Sequence, residues 1–234
     1  MKKVAIVQSN YIPWKGYFDL INLVDEFILY DDRQYTKRDW RNRNLIKTAR
    51  GIRWLTIPVA VSGRYTQRID QVVVSDSGWA SQHWQTLVQS YSAAPCFKPQ
   101  RGYFEHLYLD CASQQGHLTG INRILIDAVC ASLGIHTTIS RSSDYEVPAE
   151  TSATQRLVEL CRAAGACEYL SGPRARAYID EAQFEKAGIA LEYIDYDGYP
   201  EYPQLHPPFD HHVSVLDLLF NVGPDAPSYM KSFR

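Results

Sequence analysis

The chain is short of net charge, of long apolar runs and of paired cysteines, and each shortage removes a class of function. With 24 Lys and Arg against 26 Asp and Glu the formal charge is −2, which argues against a broad binder of nucleic acid. No apolar run approaches the roughly 18 residues of a membrane span. Met1-Lys2-Lys3 leads into only about five apolar residues, too few for a signal-peptide core, so a soluble, cytoplasmic protein is expected. The five cysteines (Cys96, Cys111, Cys130, Cys161, Cys167) form no Cys-x-x-Cys pair. Neither a disulfide framework nor a thiolate zinc site is indicated.

What is present is 234 residues, 45% of them hydrophobic, which suffices for a sizeable core. Sixteen tyrosines and five tryptophans, many beside polar residues, suit a polar ligand with ring-shaped parts. The apolar run Val4 to Val7 ends at Gln8 and reads as a buried strand. A loop with Tyr11, Pro13, Trp14 and Gly16 follows, and Tyr17, Phe18, Leu20, Ile21 and Val24 fall at helical spacing. Ligands bind beyond the carboxyl end of such strands in open parallel sheets, so this loop is the first candidate site.

A second strand is expected over residues 26–31, ending in Asp31-Asp32. Residues 33–53 then carry eight basic side chains against one acid, Asp39, interleaved with Gln34, Tyr35, Trp40, Asn42 and Asn44. Arginines among aromatics suit a phosphate-bearing ligand, because the guanidinium fork pairs with phosphate oxygens while rings stack. The plainer alternative is a solvated charged loop. Residues 54–59 read as a buried-looking strand and 71–74 as another. From Gly78 the pattern is helical: one helix to Tyr91, a break at Pro95 and Pro99, a second over 101–113 and a third over 117–133, stopped by Gly134.

Further strands are expected over 136–140, 168–170 and 189–196, with helices from Ser152 or Thr154 to Arg162, over 178–187 and over 213–220. Two more strand-end loops emerge, Ser142-Ser143-Asp144 and Ser171-Gly172-Pro173-Arg174. Alternating strands and helices favour an α/β fold with a largely parallel, Rossmann-like sheet, one α/β domain over 1–234 with a helical lobe at about 78–134.

Three groupings compete for the chemistry. The first joins Gln8, Tyr17 and Asp31, assigned catalytic roles, to the binding residues Tyr11, Trp14, Gln34, Lys37, Arg38, Asn42, Arg43, Ser142, Ser143, Ser171, Gly172 and Arg174. The second is the tail cluster His206, Asp210, His211 and His212, weak candidates for a metal, so none is assigned. The third is a thiol such as Cys96, which no sequence feature marks as activated.

Five ordered pieces resemble the WbqC-like protein family. They are Gln8-x-x-Tyr11-x-Pro13-Trp14-x-Gly16-Tyr17, Asp31-x-x-Gln34-Tyr35-x-Lys37-Arg38-x-Trp40-x-Asn42-Arg43, Trp54-Leu55-Thr56-Ile57-Pro58-Val59, Tyr169-Leu170-Ser171-Gly172 and Ser214-Val215-Leu216-Asp217-Leu218-Leu219-Phe220-Asn221. The resemblance implies a bacterial protein of O-antigen-type surface-polysaccharide synthesis, acting on a sugar nucleotide. A weaker similarity links the first loop to the His-x-Gly-His turn of nucleotidylyltransferase-like Rossmann proteins. Here Trp14 and Tyr17 fill both histidine places, so a related fold is expected rather than that superfamily's reaction.

Together these readings point to a group-transfer enzyme joining an acyl or aminoacyl group to a nucleotide-linked amino sugar. A glycosyltransferase and a non-catalytic sugar-nucleotide-binding protein are the alternatives. ATP or another nucleotide is the cofactor such a site would take. Replacement of Arg38 or Arg43 by Ala is expected to abolish stabilisation by nucleotide.

Overall fold

The computed structural model describes residues 1–148 and 152–233. Five parallel strands form the central sheet: β1 (Lys3–Val7), β2 (Glu26–Leu29), β5 (Thr138–Arg141), β6 (Glu168–Ser171) and β7 (Ala190–Tyr193). Two further strands, β3 (Arg43–Thr48) and β4 (Gly51–Thr56), pair only with each other, antiparallel. The helices are α1 (Lys15–Asn22), α2 (Trp79–Tyr91), α3 (Phe97–His106), α4 (Leu118–Leu133), α5 (Ala153–Ala163), α6 (Glu181–Ala187) and α7 (Val215–Val222).

The order across the large sheet is β5-β2-β1-β6-β7. Counting only its own strands along the chain this is 3-2-1-4-5, the arrangement of Rossmann-like folds. The inner strands β1 and β2 are mostly apolar because both sheet faces are covered there, while the edge strands β5 and β7 are more polar and partly exposed. Ala5, Phe27 and Leu29 point into one core layer with Phe18 and Ile21 of α1, Leu125 and Val129 of α4 and Leu218 of α7. Val4, Ile6 and Ile28, on the alternate positions, meet Leu157 and Val158 of α5 and Phe184 of α6 in the other. Each fully buried side chain of this size contributes roughly 1.5–3 kcal/mol. The helices therefore change face after β5, where the chain crosses to the far side of β1.

The ends of the helices follow their local chemistry. Gly134 closes α4 at φ +72°, a left-handed position open to glycine. Ser152 caps α5 by accepting from the Gln155 amide at 3.2 Å, and Ser214 caps α7 by accepting from Leu216. The α2–α4 stretch packs beside the sheet and is locked to the C-terminal helix, with the rings of Phe97 and Phe104 at 5.0 and 5.2 Å from Phe220.

Several expected elements differ. The basic segment is not one loop, since its second half is β3, and residues 54–59 are not a buried strand, since β4 is exposed along most of its length. Residues 71–74 form no strand of a sheet. They follow a 3-10 turn (Ile69–Gln71), and only Val73 and Val74 make isolated bridges, to His117 and Val59. Pro99 does not break a helix but sits in the first turn of α3, where its missing N–H costs nothing. The helix expected over 101–113 ends at His106 and continues as a π turn (Leu107–Cys111) and a 3-10 turn (Ala112–Gln114). The segment before α6 is likewise a 3-10 turn, Pro173–Ala177.

Candidate functional site

The reversal of strand order lies between β1 and β6, and at such a point the two strand-end loops diverge and leave a crevice. Here the crevice is a cavity of about 1160 Å³. Gln8, Asn10 and Trp14 enter it from the loop after β1, and Ser171, Gly172 and Arg174 from the loop after β6. Arg33, Gln34 and Trp40 close it on the side of the basic segment, and Tyr196, Asp197, Tyr199, His211 and His212 close it from the segment after β7.

The first loop is tightly held. Ile12 is buried and adopts φ +36°, a conformation that a β-branched residue takes only where its surroundings impose it. The Asn44 side-chain amide donates to the carbonyls of Tyr11 (3.0 Å) and Ile12 (2.9 Å), while the Tyr11 amide donates to the Trp40 carbonyl at 3.0 Å. Gly16 is required beside Trp14, because a Cβ there would collide with the indole ring. Trp14 in turn packs edge-on against Tyr196 (5.0 Å) and Tyr199 (5.7 Å), which fixes the aromatic wall.

The protonation states follow from burial. Burial, reinforced by the Asp31 carboxylate, pushes the Tyr17 phenol well up, so it stays protonated and donates to the Gln8 carbonyl at 3.1 Å. Burial raises Tyr196 and Tyr199 as well. His211 is lowered, first by burial and then by the Lys15 charge, and its Nδ1 is buried with no hydrogen-bond partner among the described residues. Tyr11 lies behind the wall, fully buried, with its hydroxyl 2.8 Å from His83 Nδ1 and 2.9 Å from the Tyr108 hydroxyl. His83 Nε2 faces the Thr56 carbonyl at 3.2 Å, so Nδ1 is the acceptor. Burial lowers this imidazole to about 4.

Of the residues expected in the site, Gln8, Trp14, Tyr17, Gln34, Ser171, Gly172 and Arg174 line this cavity, as do His211 and His212. The others lie elsewhere. Lys37 and Arg38 are exposed, Lys37 over the Tyr65 ring and Arg38 in a left-handed turn at φ +60°. Arg43 stacks on Trp54 at 4.1 Å. Asn42 is a buried tie, donating to the Ile57 carbonyl and accepting from Tyr35. His206 faces the Ser90 carbonyl, and His212 pairs with Asp210 at 3.1 Å. Among the described residues no group of three or more His, Cys, Asp or Glu is placed to hold a metal ion.

Asp31, Ser142 and Ser143 belong to a second, smaller cavity of about 370 Å³ beyond β2 and β5. Both Asp31 oxygens are committed, one to the Ser9 amide at 2.8 Å and one to the Thr119 hydroxyl. Asp32 is held by Arg33, Arg156 and the Ser142 hydroxyl. Burial opposes its ionisation, but the hydrogen bonds from Arg33 and Ser142 and the charges of Arg33 and Arg156 outweigh it and hold the carboxyl below the usual range.

Several lining residues escaped the sequence reading: Asn10, Arg33, Trp40, Tyr196, Asp197 and Tyr199. Arg33 and Trp40 belong to the basic segment already singled out. Asp195-Tyr196-Asp197 is an Asp-x-Asp spacing that could have drawn attention. In the fold the Asp195 carboxylate pairs with Lys231 at 3.2 Å, and Asp197 reaches the cavity.

Comparison with known proteins gives two matches. The model of the WbqC-like protein family matches residues 8–229. An uncharacterized protein of Mycobacterium tuberculosis, Rv1507c, is 52% identical over 234 residues, covering 100% of both chains. No solved structure matches.

Proposed function

The chain belongs to the WbqC-like protein family, and from that premise we propose that it is a group-transfer enzyme of bacterial surface-polysaccharide biosynthesis, joining an acyl or aminoacyl group to a nucleotide-linked amino sugar. One observation carries the reading: a cavity of about 1160 Å³ at the point of strand-order reversal, with an aromatic wall and with Arg33 and Arg174 at its rim. Arg174 stands exposed with no ion pair among the described residues, free to meet a diphosphate; Arg33 shares its charge with Asp32. Trp14, Tyr196 and Tyr199 offer ring faces and edges to a base or sugar, and Gln8, Asn10 and Asp197 offer hydrogen bonds to hydroxyl groups.

The chemistry asks little of the protein beyond positioning and one proton acceptor. The sugar amine attacks the acyl carbon, the C–N bond forms, and the bond from that carbon to its activating group breaks. The amine proton passes to His211, which burial keeps neutral and able to accept it. Asp31, committed to Ser9 and Thr119, fixes the loop instead of taking the proton.

A glycosyltransferase is the second reading, favoured by Asp197 on the cavity wall. The ion pair of Asp195 with Lys231 removes half of a metal-binding Asp-x-Asp pair. Thermal-shift screening against ATP, UDP-sugars, dTDP-amino sugars and acyl donors tests the proposal. A ligand at about 100 times its Kd adds ~2.7 kcal/mol of stability. Stabilisation by a nucleotide-linked amino sugar is expected; no response to any nucleotide overturns the reading. Binding without turnover, whatever acyl donor is supplied, leaves a sugar-nucleotide-binding protein.

A further inference from the structure

The β3–β4 hairpin carries a surface that meets the cavity only at Trp40. Ladder register puts Arg43, Leu45, Lys47, Ile52, Trp54 and Thr56 on one of its faces, where Lys47 is buried against Gln204 and Pro208 and the rest is at least partly exposed. Two of these apolar side chains stand in water, Ile52 at 52% and Trp54 at 41% of their full exposure. Trp40, 37% exposed, extends the patch with its ring 5.3 Å from Trp54. An exposed aromatic and aliphatic cluster of this kind marks an interaction site.

The charged side chains of residues 33–53 are basic with one exception, Asp39. Arg43 lies over the Trp54 ring, Arg50 projects from the turn joining the strands, and Lys37 and Arg38 are exposed in the segment leading to the hairpin. The single acid in that segment, Asp39, is already engaged by Arg41. The chain as a whole carries −2, so this positive patch is local.

Tryptophan, isoleucine and arginine on a short projecting hairpin match the interface of an anionic bilayer. The rings and aliphatic groups enter the headgroup region while the guanidinium groups meet the phosphates. A protein partner would offer neither a continuous sheet of negative charge nor an apolar layer directly beneath it. We propose that the outer face of the β3–β4 hairpin docks on anionic lipid membranes. Because Trp40 also lines the large cavity, docking holds the cavity mouth close to the bilayer surface. The inference stands on the hairpin alone and does not depend on which ligand the cavity takes.

Co-sedimentation of the full chain with vesicles of phosphatidylcholine and phosphatidylglycerol, against phosphatidylcholine alone, tests it. Binding to the anionic vesicles only, and its loss as salt is raised, is expected. Ile52→Ala with Trp54→Ala should lower partitioning roughly tenfold, and Arg50→Ala, in an exposed turn where folding is not at stake, about fivefold. Equal partitioning of the parent into neutral and anionic vesicles overturns the proposal, as does parent-like binding by both variants. If sedimentation velocity instead shows a dimer that Trp54→Ala dissolves, the face belongs to a second copy of the chain, and the lipid proposal falls.

Discussion

Two crevices open at the carboxyl edge of the same sheet, and they differ in what their charges do. In the one beyond β2 and β5, Asp31 is bonded to Ser9 and Thr119, Asp32 to two arginines and a serine, and Asp70 to Arg68. In the one between β1 and β6, Arg174 has no ion pair among the described residues, and the imidazole of His211 has a buried nitrogen without a partner among them. A polar group already satisfied inside the fold has little left to offer a ligand. Charge density alone therefore misleads, and the state of each group's partners separates scaffold from site.

The comparison can be broken most forcefully at Asp31. Asp31→Ala strands the Ser9 amide and the Thr119 hydroxyl, and a loss of about 3 to 4 kcal/mol in urea unfolding is expected. A variant of parent stability that fails only in catalysis would show that Asp31 belongs to the reaction.

Behind the crevice between β1 and β6, His83 gives a pH-dependent counterpart. The folded imidazole stays neutral down to about pH 4, while in the unfolded chain it takes a proton near 6.5. Between these values the unfolded state binds more protons. The contribution is therefore fully present above pH 6.5 and is lost as pH falls toward 4, on the order of 3 kcal/mol. Urea titrations of the parent and His83→Gln across this window should show the parent's acid loss reduced in the variant.

Arg174→Ala sharpens the contrast from the other side. Loss of one charge-assisted contact of about 2 kcal/mol should weaken nucleotide binding roughly thirtyfold with little change in melting temperature. Calorimetric titration checks this, with Arg38→Ala as the control outside the cavity. The sequence puts Arg38, Arg43 and Arg174 in this role; of these Arg174 lines the cavity, where Arg33 joins it. The smallest effect is Ser142→Ala, which removes one hydrogen bond to Asp32 and should cost about 1 kcal/mol of stability without altering binding.

The sheet and its connecting helices were legible because buried parallel strands are short apolar runs and because α4 and α7 carry strong helical periodicity. The hairpin was not. In its β4 strand Leu55 is buried while Trp54 and Ile52 face outward, so a run that reads as buried throughout is buried on one side only, and nothing local reports this. The β1 and β6 loops are legible as strand ends, but the wall from Tyr196 to His211 reaches the β1 loop across more than 180 residues of sequence. The motif does not tell which partners a polar side chain takes: Asp31 lines the smaller cavity with both oxygens bonded inside the fold, and Asn42 is tied to Ile57 and Tyr35.

Asn44 gives the architecture a mechanical property. It belongs to β3, yet its single amide group grips the two carbonyls that keep the first loop in its left-handed bend at Ile12. Hairpin and loop are thus geared together by two hydrogen bonds, and a slide of about one ångström between them would disengage both, since such bonds weaken steeply beyond about 3.2 Å. A displacement of the hairpin is therefore passed directly to the loop beside the cavity, without going through the large sheet.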